Sequence, residues 1–559
     1  MKGKTRPIAG GNIVKPLIDL PDYAAARRGL RLAIPEFYNF GFDCIDRRAR
    51  EGDKAAFISV DANSGVEKTY RFSDLSRASN RFANVLLGLG ATKGDFAFSM
   101  IPRIPAWYET LIGCIKTGVV AMPGTNLLMP KDIEYRLKKS RAKFAIVTAE
   151  HAAKIDAVRA KCPHLKHGIV IGAAREGWVH YEAAAAKASE ALDRTKVERT
   201  RADEMMLAYF TSGTTAFPKM VPRAHSYAIA HAITARYWQD LKEADVHWTL
   251  SDTGWAKAAW GMIFGQWQIG ATILLYNAAP GFDADAHLKL LAKHKVTTFC
   301  APPTVYRTFA QLDLKQYDFS SLRHSFSAGE PLNPEVIRVW KDVTGTVVHD
   351  GFGQTETICV VANVPGVEIR PGSMGLPSPG LTVDIIDDDG KVRPTGEIGH
   401  VGIKVTDPWP PGLFTGYFED PEANARCFRN GWYYTGDTAT RDKDGYLWFV
   451  GRADDIISSA AYRISPFEVE SALIEHPAVA ESAVVGKKDA LRGEIVKAYV
   501  VLAKGYKASD ALAKELQDFV KNTTAPYKYP REIEFRDALP KTISGKIRRV
   551  ELRADANKG

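Results

Sequence analysis

The chain has 559 residues, more than one compact core holds, so several domains or subdomains are expected. It is 45% hydrophobic and 25% charged, the balance of an ordinary soluble globular protein. The net charge of +9 is not gathered into a long Lys/Arg run or a basic stripe interleaved with aromatics, so nucleic acid is not an expected partner.

Cysteines stand far apart at 44, 114, 162, 300, 359 and 427 with no CxxC pair, which argues against a disulfide scaffold or structural zinc and for a reducing compartment. No apolar run is long enough to span a bilayer. The basic start, Met1 to Arg6, is followed by no apolar signal region. The expected location is cytoplasmic, with an organelle matrix as the alternative.

In chain order, Ser73-Asp74 predicts a helix cap, followed by Leu75, Ala78, Phe82, Val85, Leu86 and Leu89 at helical spacing, with Gly88 and Gly90 as the stop. Phe96 to Ile101 reads as a buried strand. Trp107, Leu111 and Ile115 mark the next helix, and Val119 to Met122 the next strand. Lys131 to Lys139 reads as helix and Phe144 to Val147 as strand. This alternation predicts parallel sheets with helices on both faces. The last hundred or so residues differ. Ser465-Pro466-Phe467-Glu468 is a capping box with Pro at the first helical position, and its helix should end before Pro477. Strands at Val479 to Gly486 and Val496 to Leu502 follow. A second helix starts near Ser509-Asp510, with Leu512, Leu516, Phe519 and Val520 inward. The predicted fold class is α/β: a large N-terminal domain of α/β subdomains with parallel-rich sheets, residues 1–452, and a small mobile α+β domain, residues 453–559.

Tyr209-Phe210-Thr211-Ser212-Gly213-Thr214-Thr215-Ala216-Phe217-Pro218-Lys219 crowds four hydroxyls round one glycine after an apolar strand. Hydroxyls and backbone N–H groups in a tight turn can wrap phosphate oxygens, and Lys219 adds a positive charge. A Walker A loop ends in Gly-Lys-Ser/Thr, which this does not. The competing reading is a polar turn between strand and helix; the density of hydroxyls favours phosphate. Asp350-Gly351-Phe352-Gly353-Gln354-Thr355-Glu356 follows, with glycines that let backbone approach a ligand and a Glu356 carboxylate suited to Mg²⁺. A glycine turn before an ordinary acid is the competing reading. Trp432-Tyr433-Tyr434-Thr435-Gly436-Asp437 offers a carboxylate for ribose hydroxyls.

The segment 209–219 resembles the phosphate loop of the adenylate-forming superfamily, which contains acyl-CoA synthetases, peptide-synthetase adenylation domains and luciferases. Five motifs occur in that family's order, and the likeness runs from about Tyr38 to Arg553. It is narrowest toward medium-chain acyl-CoA synthetases, through Tyr38 to Asp43, Ser251 to Trp255 and Ala525 to Pro530. The resemblance implies an ATP- and CoA-dependent, AMP-forming acid–thiol ligase. Thr211, Ser212, Gly213, Thr214, Thr215 and Lys219 would bind phosphate. Gly329, Glu330, Pro331 and Asp350 to Gln354 would border adenine and the acyl pocket, and Thr355 would touch the α-phosphate. Glu356 would hold Mg²⁺, Asp437 the ribose, and Arg452 and Arg463 would lie near the nucleotide. Asp454 would be the hinge, Ser459, Ala460, Ala461 and Tyr462 the pantetheine passage, and Lys546 the catalytic lysine of adenylation.

Trp255, Trp260, Gly261 and Gly265 lie in a stretch that borders the acyl group in the family, while Trp267 reads as core. Aromatic walls favour a short, branched, medium-chain or aromatic acid over a long fatty acid. The chain departs from the family pattern at Ala216, Met220, Ala461 and Ser465, where glycine is usual. A methyl at Ala461 is expected to slow thioester formation relative to adenylation. A small-molecule carboxylic acid is the expected partner, and a lysine acetyltransferase/deacetylase pair acting on Lys546 is a further one. Two other readings compete: an adenylating enzyme that loads a separate carrier protein, and a non-catalytic nucleotide-binding protein that kept the fold.

Overall fold

The computed structural model describes residues 20–211, 218–278, 281–329, 334–459, 462–541 and 547–558. The predicted alternation holds: the strand Phe96–Met100 leads to the helix Pro105–Thr117, then to the strand Val120–Pro123, the helix Pro130–Ser140 and the strand Phe144–Thr148. Gly118 closes the Pro105–Thr117 helix in the left-handed conformation, which costs a glycine nothing. The helix Phe72–Gly88 starts two to three residues earlier than expected. Arg71 is its cap, and Asp74 sits inside the first turn, where its carboxylate accepts the Arg71 N–H. The Ser73 N–H is taken by Asp53.

Two large sheets result. One runs Val179–His180, His167–Ile171, Phe144–Thr148, Phe96–Met100, Val120–Pro123, Met205–Thr211, Lys219–Ala224, parallel throughout except for its last strand. The other has nine strands, with a parallel centre formed by Val348–Gly353, His324–Ala328, Thr298–Cys300, Val246–Thr249, Thr272–Asn277 and Ala55–Asp61. Such a centre is covered on both faces, so its strands are near-continuously apolar or buried. A third, antiparallel sheet contains Trp432–Arg441 and its partner Leu447–Arg452.

The small fourth sheet joins Tyr462–Ile464, Ile457–Ser459, Gly493–Leu502 and Val479–Asp489, with Glu532–Phe535 added in parallel. The helix Pro466–Ile474 has Ser465 as its cap, accepting from the Glu468 N–H at 3.2 Å. The return half of the expected box is replaced: the Glu468 carboxylate takes Lys528 Nζ at 2.7 Å. The Ser465 hydroxyl also donates to the Val450 carbonyl, so it ties this helix to the strand Leu447–Arg452. In the helix Asp510–Thr523, Leu512, Leu516 and Val520 are buried as expected. Phe519 is only half-buried, its ring packed edge-on against His476. The fold is thus a large N-terminal α/β part with parallel-rich sheets and a smaller, mainly antiparallel C-terminal part. All six cysteines are free, and among the described residues no helix is long and apolar enough to cross a membrane.

Candidate active site

The phosphate-loop motif sits in a β-hairpin, not between a strand and a helix. Met205–Thr211 pairs antiparallel with Lys219–Ala224, Thr211 opposite Lys219. Ser212, Gly213, Thr214 and Thr215 lie outside the described residues, as do Glu330, Pro331, Ala460, Ala461 and Lys546. Met220, where the family pattern has glycine, is a strand residue buried in the core.

Lys219 Nζ lies 4.7 Å from the centre of the Tyr417 ring, and the Tyr417 hydroxyl donates to Glu356 Oε1 at 2.9 Å. One tyrosine therefore links the hairpin cation to the motif carboxylate. Glu356 is buried, and burial raises its carboxyl above the usual range, partly offset by the Tyr417 bond and the Arg223 charge. Arg223 is itself buried, stacked 3.8 Å over Tyr227, with its Nε and Nη1 unpartnered among the described residues. Mg²⁺ is commonly held by one or two carboxylates together with substrate phosphates, and Glu356 supplies one such oxygen donor beside the phosphate hairpin. The donor set fits the ion.

The glycine motif is a strand, Val348–Gly353, not a turn. It pairs with His324–Ala328 so that Ala328 faces Gly351. A side chain on Gly351 would sit 2.4 Å from the Trp238 indole, and one on Gly353 2.4 Å from the Ile358 carbonyl. Phe352 is partly buried against the core, and the Asp350 carboxylate accepts the Gly351 N–H at 2.9 Å. Gly329, at the end of the neighbouring strand, has φ +110, which favours glycine. Thr355 is half-buried between Gln354 and Glu356.

Gln354 reaches the third sheet. Its Nε2 donates to Asp437 Oδ2 at 2.6 Å and to the Thr435 carbonyl at 2.9 Å. Asp437 is buried in the strand Trp432–Arg441, so it is no solvated turn acid. Arg452, opposite it in register, donates to Oδ1 at 3.1 Å. The run Gln354–Glu356 thus spans from the candidate ribose acid to the candidate phosphate cation.

The acyl-pocket candidates are placed by the helix Ala256–Met262. Trp255 caps it, and the Trp260 ring lies 5.3 Å from Trp238, the residue that presses on Gly351. On the same helix, Lys257 Nζ donates to the Ala328 carbonyl at 2.8 Å, beside Gly329. The acyl stretch therefore meets the nucleotide motifs directly. Gly261 and Gly265 are packing positions: a Cβ would stand 2.6 Å from Thr249 and 2.7 Å from Ala235. Trp267 is core, its indole donating to the Ala56 carbonyl at 2.9 Å. A cavity of about 230 Å³ opens at the carboxyl ends of Val246–Thr249 and Thr272–Asn277, where α/β sheets commonly take ligands. Its walls include Arg103, Thr249, Asp252, Met262 and Tyr276, and none of the four acyl-pocket candidates.

On the C-terminal side, Asp454 is exposed in the turn between the third and fourth sheets. Arg463 is exposed on Tyr462–Ile464. Ser459 is buried and pairs with Tyr462, whose ring stacks on Tyr527 at 4.1 Å and 12°. The stretch containing Lys546 is bracketed by a bridge between Lys541 and Ile547. Tyr417, Arg223 and Lys257 escaped the sequence reading, and Tyr433 stood in the Asp437 motif without a role of its own; beyond that motif, only a lysine between two candidate pocket tryptophans carried any signal.

A family model of AMP-binding enzymes matches residues 45–418, and one of the AMP-binding enzyme C-terminal domain matches residues 468–546. The mitochondrial acyl-coenzyme A synthetase ACSM3 of Mus musculus is 44% identical over 543 residues, covering 95% of this chain and 93% of the relative. The mitochondrial acyl-coenzyme A synthetase ACSM4 of Homo sapiens is 44% identical over 546 residues, covering 96% and 93%. The crystal structure of the anthranilate CoA ligase AuaEII in complex with anthranoyl-AMP has a TM-score of 0.85 at 33% identity, covering 94% of this chain and 98% of that one. A benzoate CoA ligase from Burkholderia xenovorans LB400 gives a TM-score of 0.81 at 28% identity, covering 92% and 100%.

Proposed function

The chain belongs to the AMP-binding enzyme family and is an AMP-forming acyl-CoA synthetase, and from that premise we propose how its residues divide the two half-reactions. The observation that carries the division is the run Gln354–Glu356, which joins Asp437 at one end to Tyr417 and Lys219 at the other.

In the first half-reaction a carboxylate oxygen attacks the α-phosphorus of ATP. The bond to the β-phosphate oxygen breaks, and pyrophosphate leaves. Both reactants are anions, so the site must align them and cancel charge. Lys219 and the hydroxyls of Thr211, Ser212, Thr214 and Thr215 hold the phosphates, and Thr355 touches the α-phosphate. Glu356 would hold Mg²⁺, which when bound would supply neutralisation of the phosphate charge. Asp437 accepts the ribose hydroxyls, and Gly329, Glu330, Pro331 and the strand ending at Gly353 border adenine. Lys546 neutralises the reacting carboxylate and the developing α-phosphate charge. In the second half-reaction the CoA sulfur attacks the acyl carbon, and the carbon–oxygen bond to AMP breaks. Residues 453–559 turn about Asp454 between the two, withdrawing Lys546 and bringing in Ser459, Ala460, Ala461 and Tyr462 for the pantetheine arm, with Arg452 and Arg463 near the nucleotide.

The acid is short, branched, medium-chain or aromatic, with Trp255 and Trp260 shaping its pocket. The Trp260–Trp238–Gly351 contact supports this reading by setting an aromatic wall beside the adenylate motifs. Lys546 is also a target for reversible acetylation, which would remove its charge; mass spectrometry with activity before and after deacetylation tests this. The proposed compartment is the cytoplasm or an organelle matrix, and the mitochondrial names of the relatives weigh toward the matrix.

The deciding experiment is acid-dependent pyrophosphate release with ATP and Mg²⁺ across short, branched, medium-chain and aromatic acids, with and without CoA. Pyrophosphate release with CoA-dependent AMP and thioester is expected. No release with any acid of the panel would overturn the assignment of roles.

A further inference from the structure

Gln354 has no freedom left in its side chain. Its amide nitrogen faces two acceptors, the Asp437 carboxylate at 2.6 Å and the Thr435 carbonyl at 2.9 Å. Its amide oxygen faces a donor, the Tyr433 hydroxyl at 3.0 Å. Turning the amide over would set its oxygen against two other oxygens, so the chemistry of the neighbours fixes the orientation. Tyr433 is buried, its ring 5.3 Å from Phe414 and 5.2 Å from Phe428, so its hydroxyl is held in place by packing. The main-chain N–H of Gln354 is anchored too, on the Thr357 hydroxyl at 2.9 Å.

We infer that Gln354 and Tyr433 are a positioning pair for the ribose acid: Tyr433 sets the Gln354 amide, and the amide sets the Asp437 carboxylate. On this view Gln354 acts on the nucleotide through Asp437 and not by its own contact with adenine. Arg452 steadies the other oxygen, at 3.1 Å, from the neighbouring strand. Three side chains from three strands or loops thus fix one carboxylate before the nucleotide arrives. Such preorganisation matters because a hydrogen bond to a charged group gains strength only when its geometry is already set. The inference rests on the reading of Asp437 as the ribose acceptor.

The test compares ATP with its 2′-deoxy and 3′-deoxy analogues, reading kcat/KM for acid-dependent pyrophosphate release. A ribose hydroxyl bonded to a carboxylate should give the unsubstituted chain about a tenfold or larger preference for ATP. Gln354→Leu should bring that preference close to one, and Tyr433→Phe, which keeps the ring and removes one oxygen, should lower it part way. The double variant should lose no more discrimination than Gln354→Leu alone, because both act on one carboxylate. A purely structural role would lower the rates with all three nucleotides together and leave the ratio unchanged. Asp437→Asn is the control. If Asp437→Asn loses discrimination while both Gln354→Leu and Tyr433→Phe keep it, the positioning pair is refuted and the ribose assignment stands. If Asp437→Asn itself keeps full discrimination, the ribose assignment fails and the inference fails with it.

Discussion

A Cβ on Gly351 would lie 2.4 Å from the Trp238 indole, well inside contact distance, and Trp238 in turn lies 5.3 Å from Trp260. Gly351→Ala should therefore push Trp238 toward the proposed acyl wall, with an overpacking cost of about 1–3 kcal/mol. Urea denaturation reads the cost, and a shift in the order of preferred acids reads the displaced wall. The sequence showed that a glycine was needed here but pointed to close approach of a ligand. The packing reason comes from a residue 113 positions earlier, on another element, and no local pattern announces it. The same holds for Tyr417 and Tyr433, which read as ordinary aromatics until the fold brings them to Glu356 and Gln354. His247 gives a second residue-scale expectation. It is buried between the Thr298 hydroxyl and the Gly261 carbonyl, and burial holds its ring down at about 4, where an unfolded histidine titrates near 6.5. On acidification the unfolded chain takes up a proton that the folded ring refuses, so stability falls from about pH 6.5 toward 4, by up to ~1.4 kcal/mol per pH unit for each such ring. His225, also held down at about 4 by burial, adds in the same direction. Thermal midpoints of His247→Gln should fall less steeply over that range than those of the unsubstituted chain.

At the scale of elements, periodicity and caps placed nearly every helix and strand named from the sequence, because amphipathic spacing is local information. Two competing local readings, a strand-to-helix turn and a glycine turn, do not match the fold, and for the same reason. The phosphate loop joins antiparallel strands, and the glycine motif is itself a strand. In both, the pairing partner decides, and pairing is not written in the segment. The short hairpin after the hinge carries a testable departure. Ser459 pairs with Tyr462, so two residues, Ala460 and Ala461, separate the paired positions. Related synthetases usually carry glycine where Ala461 stands, and a methyl there is expected to slow the passage of the pantetheine arm. Ala461→Gly should then raise the single-turnover rate of thioester formation roughly fivefold and leave pyrophosphate release unchanged. An unchanged thioester rate would show that the methyl is harmless.

For the molecule as a whole, alternating strands and helices made the large α/β part legible, and the order of the five motifs made the family legible. What could not be read was where the sheets meet. Asp437 ends up opposite Arg452, two residues before Asp454, so the strand partner of the candidate ribose acid runs straight into the proposed pivot. Asp454→Pro, by fixing φ, should leave adenylate formation within about twofold and lower thioester formation by about tenfold or more. Equal loss in both half-reactions, measured separately, would exclude a pivot at that residue.

The terminal helix Arg549–Ala556 is bolted to what lies just beyond the pivot. Arg553 binds Asp455, and Arg549 grips Glu470: its Nη2 donates to both carboxylate oxygens, at 2.8 and 2.6 Å, and its Nε to Oε1 at 3.1 Å. Glu470 is buried and lies on the first helix of the small part, so this clamp joins the start of that part to its end. In mechanical terms the proposed pivot would make the C-terminal part a lever with its fulcrum ahead of Asp455, because the Arg553–Asp455 contact ties Asp455 to the terminal helix. A rotation about Asp454 would then be absorbed by the peptide units before Asp455, and loosening the Arg553–Asp455 contact would be expected to lengthen the fulcrum and spread the swing over intermediate angles.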